Sequence, residues 1–183
     1  MIKTNFNDFN DKLANDDNIK ELIKGKINDD LNYINTSNVT NMNLLFKKSK
    51  FNGDISSWNV SNVKSFFKTF YNSSFNQDIS TWNVSNATDM RNMFDKSKFN
   101  KDISSWNVSN VINMENMFWN SVFNKELNDW NVSNVKNMCG MFYDSKFNQD
   151  ISKWDVSNVF NMSYMFAHSV FNQDISCWDG SVS

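Results

Sequence analysis

Six tryptophans, Trp58, Trp82, Trp106, Trp130, Trp154 and Trp178, stand 24 residues apart without drift. A second column, Phe51, Phe75, Phe99, Phe123, Phe147 and Phe171, keeps the same spacing. A fixed period of 20 to 50 residues marks a chain built from stacked units, each too small to bury an apolar face alone. Residues 31–183 divide accordingly: a degenerate first unit 31–50, full units beginning at Phe51, Phe75, Phe99, Phe123 and Phe147, and a truncated unit 171–183. Proline is absent and there are only four glycines, which argues for one continuous body rather than domains joined by flexible linkers.

Residues 1–30 lie outside the period. Ile19, Leu22, Ile23 and Ile27 make a helical stripe, so this segment reads as an N-terminal cap with a helix over about 17–28. Asp16 or Asp17 is its expected N-cap. Each full unit has two halves. In the first, Trp82 and Val84 alternate with Asn83, a period of two that predicts a short strand. In the second, Val135, Met138, Met141 and Phe142 form a stripe at helical spacing, with Ser133 placed to cap it. The expected fold class is α/β: a right-handed, leucine-rich-repeat-like solenoid with one short parallel strand and one helix per 24-residue repeat. Ile79, Trp82, Val84, Met90, Met93 and Phe94 are its expected core.

FNQDISTWNVSNATDMRNMF and FNQDISKWDVSNVFNMSYMF resemble the short repeat of BspA-like leucine-rich-repeat bacterial surface proteins, over roughly residues 31–183. The resemblance implies a leucine-rich-repeat-like fold, a location at the cell surface or outside the cell, and binding or adhesion rather than catalysis. It carries over no binding residues. The start of the chain has no apolar stretch of signal-peptide type, which leaves the cytoplasm open as an alternative location.

The repeated columns read first as structure. Asn52, Asn76, Asn100, Asn124, Asn148 and Asn172 suit a side-chain ladder between neighbouring units. Asp54, Asp78, Asp102, Asp150 and Asp174, with Glu126, supply one carboxylate per unit, which fits turn bonding better than calcium. A net charge of −2 excludes an overall electrostatic footprint for nucleic acid. No apolar run reaches the length of a membrane span. Cys139 and Cys177 occupy different repeat positions and are not expected to pair. With His168 the single histidine, no nucleophile–base spacing, phosphate loop or metal pattern emerges. No catalytic residue and no cofactor is expected.

Positions that vary while the frame stays fixed are the candidates for recognition. Flanking the tryptophans, on the face expected to be the open sheet, are Thr81, Asn83, Ser105, Asn107, Asp129, Asn131, Lys153 and Asp155, continued by Asp179. On the expected helix side, Tyr71, Trp119, Tyr143 and the nearby Tyr164 make an aromatic interface candidate. The leading functional expectation is a non-enzymatic module binding a protein or glycan through the sheet face. The alternative is an intracellular scaffold that self-associates end to end, as a homodimer, through its C-terminal end. Ice binding by the regular polar array is disfavoured by Asp129 and Lys153.

Overall fold

A computed structural model of the chain describes residues 13–178. The first part of the expected capping segment and Asp179 lie outside the described residues. The chain winds in 24-residue coils, each held against the next by hydrogen bonds between residues 22 to 27 apart.

The second half of each coil is not the helix that the Met and Phe stripe predicts. Among the described residues the helices are α1 (Ile19–Leu22) and a final 3-10 turn, Ser176–Trp178. In the coil that includes Met114, the Met117, Trp119 and Ser121 N–H groups close turns on the carbonyls of Met114, Asn116 and Phe118. Asn116 and Asn120 have φ of 54° and 49°. Left-handed backbone at the third position of a four-residue turn is the type II pattern. Two such turns in succession place apolar residues inward every three to four residues, which is why the stripe imitates a helix.

The remaining donors leave the coil. Met114, Asn116, Phe118 and Asn120 donate their N–H groups to the carbonyls of Asn137, Cys139, Met141 and Tyr143 in the next coil. Parallel bridges between Asn41, Ser65, Asp89, Asn113, Asn137 and Asn161 mark this ladder. Backbone pairing therefore runs through the half expected to be helical. The Trp-x-Val half, expected to be the strand, has no such ladder. There the coils are joined by side chains: Trp106 Nε1 donates to the Ile79 carbonyl at 3.1 Å, and Asn110 Nδ2 to that of Ser85 at 2.7 Å. The same tryptophan bond recurs at Trp58, Trp82, Trp130 and Trp154.

Asparagine and aspartate make the corners. In one coil Asp102, Asn107 and Asn113 each accept the N–H two residues on, from Ser104, Ser109 and Glu115. These are Asx turns, in which a short polar side chain imitates a backbone turn. The asparagine ladder is also present: Asn100 accepts the N–H of Asn124, and Asn124 that of Asn148, both at 2.9 Å. Inside, the aromatic columns stack along the axis. Phe75, Phe99 and Phe123 follow one another at 6.2 Å, and Phe94 and Phe118 at 5.6 Å, while Phe94 and Phe99 meet at 4.3 Å. Ile103, Met114, Met117 and Val111 complete a fully buried ring in this coil.

At the N-terminal end, β1 (Leu13–Asn15) pairs in parallel with β2 (Asn35–Asn38), and Ala14, Ile19 and Ile23 close the core. The helix is shorter than expected and stops before Gly25, which has φ +75°. Its N-cap residue is Asn18, without a side-chain cap bond. Asp16 instead accepts from the Thr40 hydroxyl and the Thr40 and Asn41 N–H groups, tying the cap to the first coil. Gly53 is buried where the cap chain crosses, and a Cβ there would collide with the Asp29 carbonyl.

If the indole bonds tie coil to coil, Trp106→Phe should keep the stacked ring yet leave the Ile79 carbonyl unpaired. The expected loss is about 1–3 kcal/mol, or roughly 2–10 °C in the thermal midpoint for a chain of this size. Thermal unfolding followed by circular dichroism checks this.

Candidate ligand face

The two surfaces singled out in the sequence differ in how much of their bonding capacity the fold has already used. On the Trp-flanking face, Thr81 and Ser105 hydroxyls donate to the carbonyls of Ser56 and Ser80. Asn83, Asn107, Asn131 and Asp155 each accept the N–H of a serine two residues on. Lys153 and Asp129 pair with each other at 2.7 Å, both well exposed. These eight side chains stand in exposed columns, and their polar atoms make turn and inter-coil bonds.

The Asp column is engaged in the same way. Asp54, Asp102, Asp150 and Asp174 accept N–H groups from serines two residues on, and those bonds hold their carboxyls below the ordinary carboxylate range. Among the described residues no group of three His, Cys, Asp or Glu side chains is gathered as a metal site requires. Cys139 and Cys177 are both free thiols. Burial, then the neighbouring Glu115, pushes the Cys139 thiol up, the opposite of what a reactive thiol needs.

The ladder face carries Tyr71, Trp119, Tyr143 and Tyr164, on the stretch expected to be helical. Trp119 and Tyr143 stack at 3.9 Å between ring centres, 14° from parallel. Tyr143 meets His168 edge-on at 5.1 Å. Gly140 makes room for this: a Cβ there would lie 2.8 Å from the Trp119 ring. Tyr71 is two coils away from Trp119, and Tyr164 stands apart at the last coil. Tyr71 belongs to a second cluster in which Lys68 lies over the rings of Phe67 and Tyr71, at 4.9 and 5.5 Å, with Arg91 over Phe67 at 5.1 Å and Lys47 over Tyr71 at 5.9 Å. Cation–ring contacts of this length are attractive even near solvent.

Lys47, Lys48, Lys68, Arg91 and Lys96 were not singled out from the sequence. A signal was available for three of them. Lys48, Lys68 and Lys96 have φ of 55–56°, in two columns where the other coils place Asn72, Asn92, Asn116 and Asn120, but also Leu44, Gly140, Asp144, Tyr164 and His168. Asparagine is the residue these columns hold most often, and each lysine departs from it.

Between Tyr71 and Trp119 in the same column sits Asp95, only 6% exposed. Asn92 donates to one of its oxygens; the other has no partner. Burial raises its carboxyl above the ordinary value, while Asn92, Lys96 and Lys68 pull it down.

Stacked coils with one internal period and one continuous core define a repeat protein. The chain belongs to the family described as "Mycoplasma protein of unknown function, DUF285", which matches it over residues 17–122 and again over 95–182. No curated protein and no solved structure matches it. Among the described residues no helix is long and apolar enough to cross a membrane.

The buried carboxylate gives a pH test. The folded chain holds the Asp95 proton more tightly than the unfolded chain, so Asp95 lowers stability as pH rises above the unfolded value of 3.8. Asp95→Asn should therefore raise stability at pH 7 by about 1 kcal/mol, or about 2–4 °C. The gain should shrink toward zero as pH falls to that value. A gain that does not change with pH would mean that the buried charge is not its cause.

Proposed function

We propose that this repeat protein is a non-enzymatic binding module of the adhesive, bacterial surface type represented by BspA-like repeat proteins, and that its ligand lies on the ladder face. The observation that carries this is the division of labour between the two surfaces. The Trp-flanking groups already bond their own chain, whereas the ladder face presents half-buried Phe67 and Tyr71 beside cations and a half-buried Trp119–Tyr143 stack. Aromatic and arginine side chains held on a rigid backbone are the groups that dominate binding energy at interfaces. A solenoid of leucine-rich-repeat type presents its parallel ladder as the recognition surface. In this chain that principle favours the aromatic columns over the eight residues around the tryptophans.

The full chain, applied to an array of immobilised extracellular-matrix proteins and glycans, should be retained on a subset of spots. Tyr71→Ala combined with Trp119→Ala should weaken that retention about thirtyfold, the loss of some 2 kcal/mol usual for hot-spot aromatics. Asp129→Ala with Lys153→Ala should leave it unchanged. The opposite ranking, or no retention above a blocked surface, overturns the reading.

A second reading, a scaffold that self-associates through its C-terminal end, is favoured by Phe160, Tyr164 and Val170, which are 76, 70 and 49% exposed on the last coil. Sedimentation equilibrium checks it. A mass that rises with concentration and falls back in Phe160→Ser with Tyr164→Ser would support it; a monomer throughout would remove it.

A further inference from the structure

The last described coil carries a ledge. The half-coil 171–178 covers its Trp side, with Phe147–Phe171 and Trp154–Trp178 stacked at 6.2 and 6.3 Å. Nothing among the described residues covers its ladder side. The core registers the difference: Met162 and Phe166 are only partly buried, whereas Met138 and Phe142, their counterparts one coil earlier, are fully buried. The rim changes as well. Exposed Phe160 and Val170 stand where the preceding coil has Lys136 and Lys146, and exposed Tyr164 where it has Gly140. Apolar residues gathered in the open beside an uncovered core mark an interaction surface.

The ledge also holds backbone groups in a fixed order. Between the two coils before it, the Lys136 carbonyl accepts the Phe160 N–H and the Ser145 carbonyl that of Val170. Between them the Met138, Gly140, Phe142 and Asp144 N–H groups donate to the carbonyls of Asn161, Ser163, Met165 and Ala167. One coil on, the Phe160 carbonyl, the Met162, Tyr164, Phe166 and His168 N–H groups and the Ser169 carbonyl have no backbone partner among the described residues. The order is acceptor, four donors, acceptor. Tyr164 and His168 hold φ of 60° and 59°, in the left-handed region with Gly140 and Asp144, so the row is already shaped as it is where a coil is stacked on it. Groups held ready in this way bind without the cost of ordering them.

That order selects the occupant. An extended strand offers N–H and C=O from the same residues, so part of its edge would set donor against donor. A second copy related by two-fold symmetry would do so throughout. Four acceptors flanked by donors are what residues 160–170 present to the coil before them. Going beyond the ladder-face ligand, we propose that the ledge docks a half-coil of this same repeat pattern carried by another polypeptide. Its alternate carbonyls accept from the four N–H groups, and the phenylalanine of its Met-x-x-Met-Phe run stacks on Phe166 as Phe142 does, at 5.9 Å, from the other side.

A fluorescein-labelled peptide with the sequence of residues 85–99, which includes Met90, Met93 and Phe94, tests this on the full chain by polarisation titration and by amide exchange in NMR. It should bind saturably, about tenfold or more tighter than a scrambled peptide of the same composition, and slow exchange at Met162, Tyr164, Phe166 and His168 together. F160K/Y164G/V170K gives the rim the residues of the preceding coil. It should weaken binding about tenfold without loss of folding by circular dichroism, since glycine suits the left-handed position. Y71A/W119A should leave peptide binding unchanged, which separates this site from the ladder-face ligand. No preference over the scrambled peptide overturns the proposal, as does binding that leaves the four amides exchanging freely. Protection of those amides before any peptide is added also overturns it, because the ledge would then be closed already, as in a self-associated chain.

Discussion

Every inter-coil bond in this protein depends on one number, the 24 residues of a turn. A Trp106 indole reaches the Ile79 carbonyl, and an Asn124 oxygen the Asn148 N–H, because each neighbour has the same backbone at the same height. Inserting one residue in a coil would break its turns, slide the aromatic columns out of stack and leave carbonyls without donors. Buried polar groups left unpaired are costly, so register is enforced at several places per coil simultaneously. That explains how a chain with little regular secondary structure holds a continuous core from Ala14 to Trp178. Hydrophobic columns supply the driving force, and the Asx corners with the indole bonds fix the alignment.

The same economy explains what the sequence reveals and what it hides. Columns are legible, because periodicity is a one-dimensional property: the core at Ile79, Trp82, Val84, Met90, Met93 and Phe94 is fully or nearly fully buried, and the asparagine ladder is in place. Local conformation is less legible. A succession of four-residue turns and a helix of 3.6 residues per turn bury nearly the same pattern over one or two turns. The distinction lay in residues off the stripe. Asn116, Asn120, Gly140 and Asp144 recur every fourth position, where a helix would favour alanine, leucine or glutamate but a left-handed turn favours asparagine or glycine. The Trp-x-Val alternation misleads for a related reason. Period two brings both side chains inward in an extended segment whether or not its backbone pairs, and here the indole and amide side chains make the links instead.

That exchange of halves also changes what the two candidate surfaces offer. The aromatics grouped from the sequence do share a surface, but they sit on turns whose φ is fixed, and Trp119 and Tyr143 are in contact while Tyr71 and Tyr164 are apart. What the sequence could not show is consumption. Asn83, Asn107 and Asp155 look like free polar groups in a list of letters, yet each has an acceptor oxygen already closing a turn. Conversely, Lys48 and Lys96 look like ordinary surface charge until the backbone shows that they occupy left-handed positions.

The ladder has a polarity that bears on self-association. In every coil alternate N–H groups point forward and alternate carbonyls point back, the others being closed within the turns. Among the described residues the last coil therefore presents Met162, Tyr164, Phe166 and His168 N–H groups without acceptors, and the first coil presents Asn41, Asn43, Leu45 and Lys47 carbonyls without donors. Two C-terminal edges facing one another would oppose donor to donor, so a two-fold dimer cannot extend the ladder through them. Among the described residues it would rest on exposed side chains such as Phe160, Tyr164 and Val170. A head-to-tail contact has the right polarity and register, but α1 begins beside that carbonyl edge, where Asp16, Ile19 and Lys20 line a cleft with Asn41, Asn43, Leu44 and Leu45. The cap thus does more than close the core with Ile19 and Ile23: it stands beside the surface that a second copy could lengthen in register. Covering a sheet edge is a recognised way of preventing open-ended pairing, and here a four-residue helix is enough because the edge is only one coil wide.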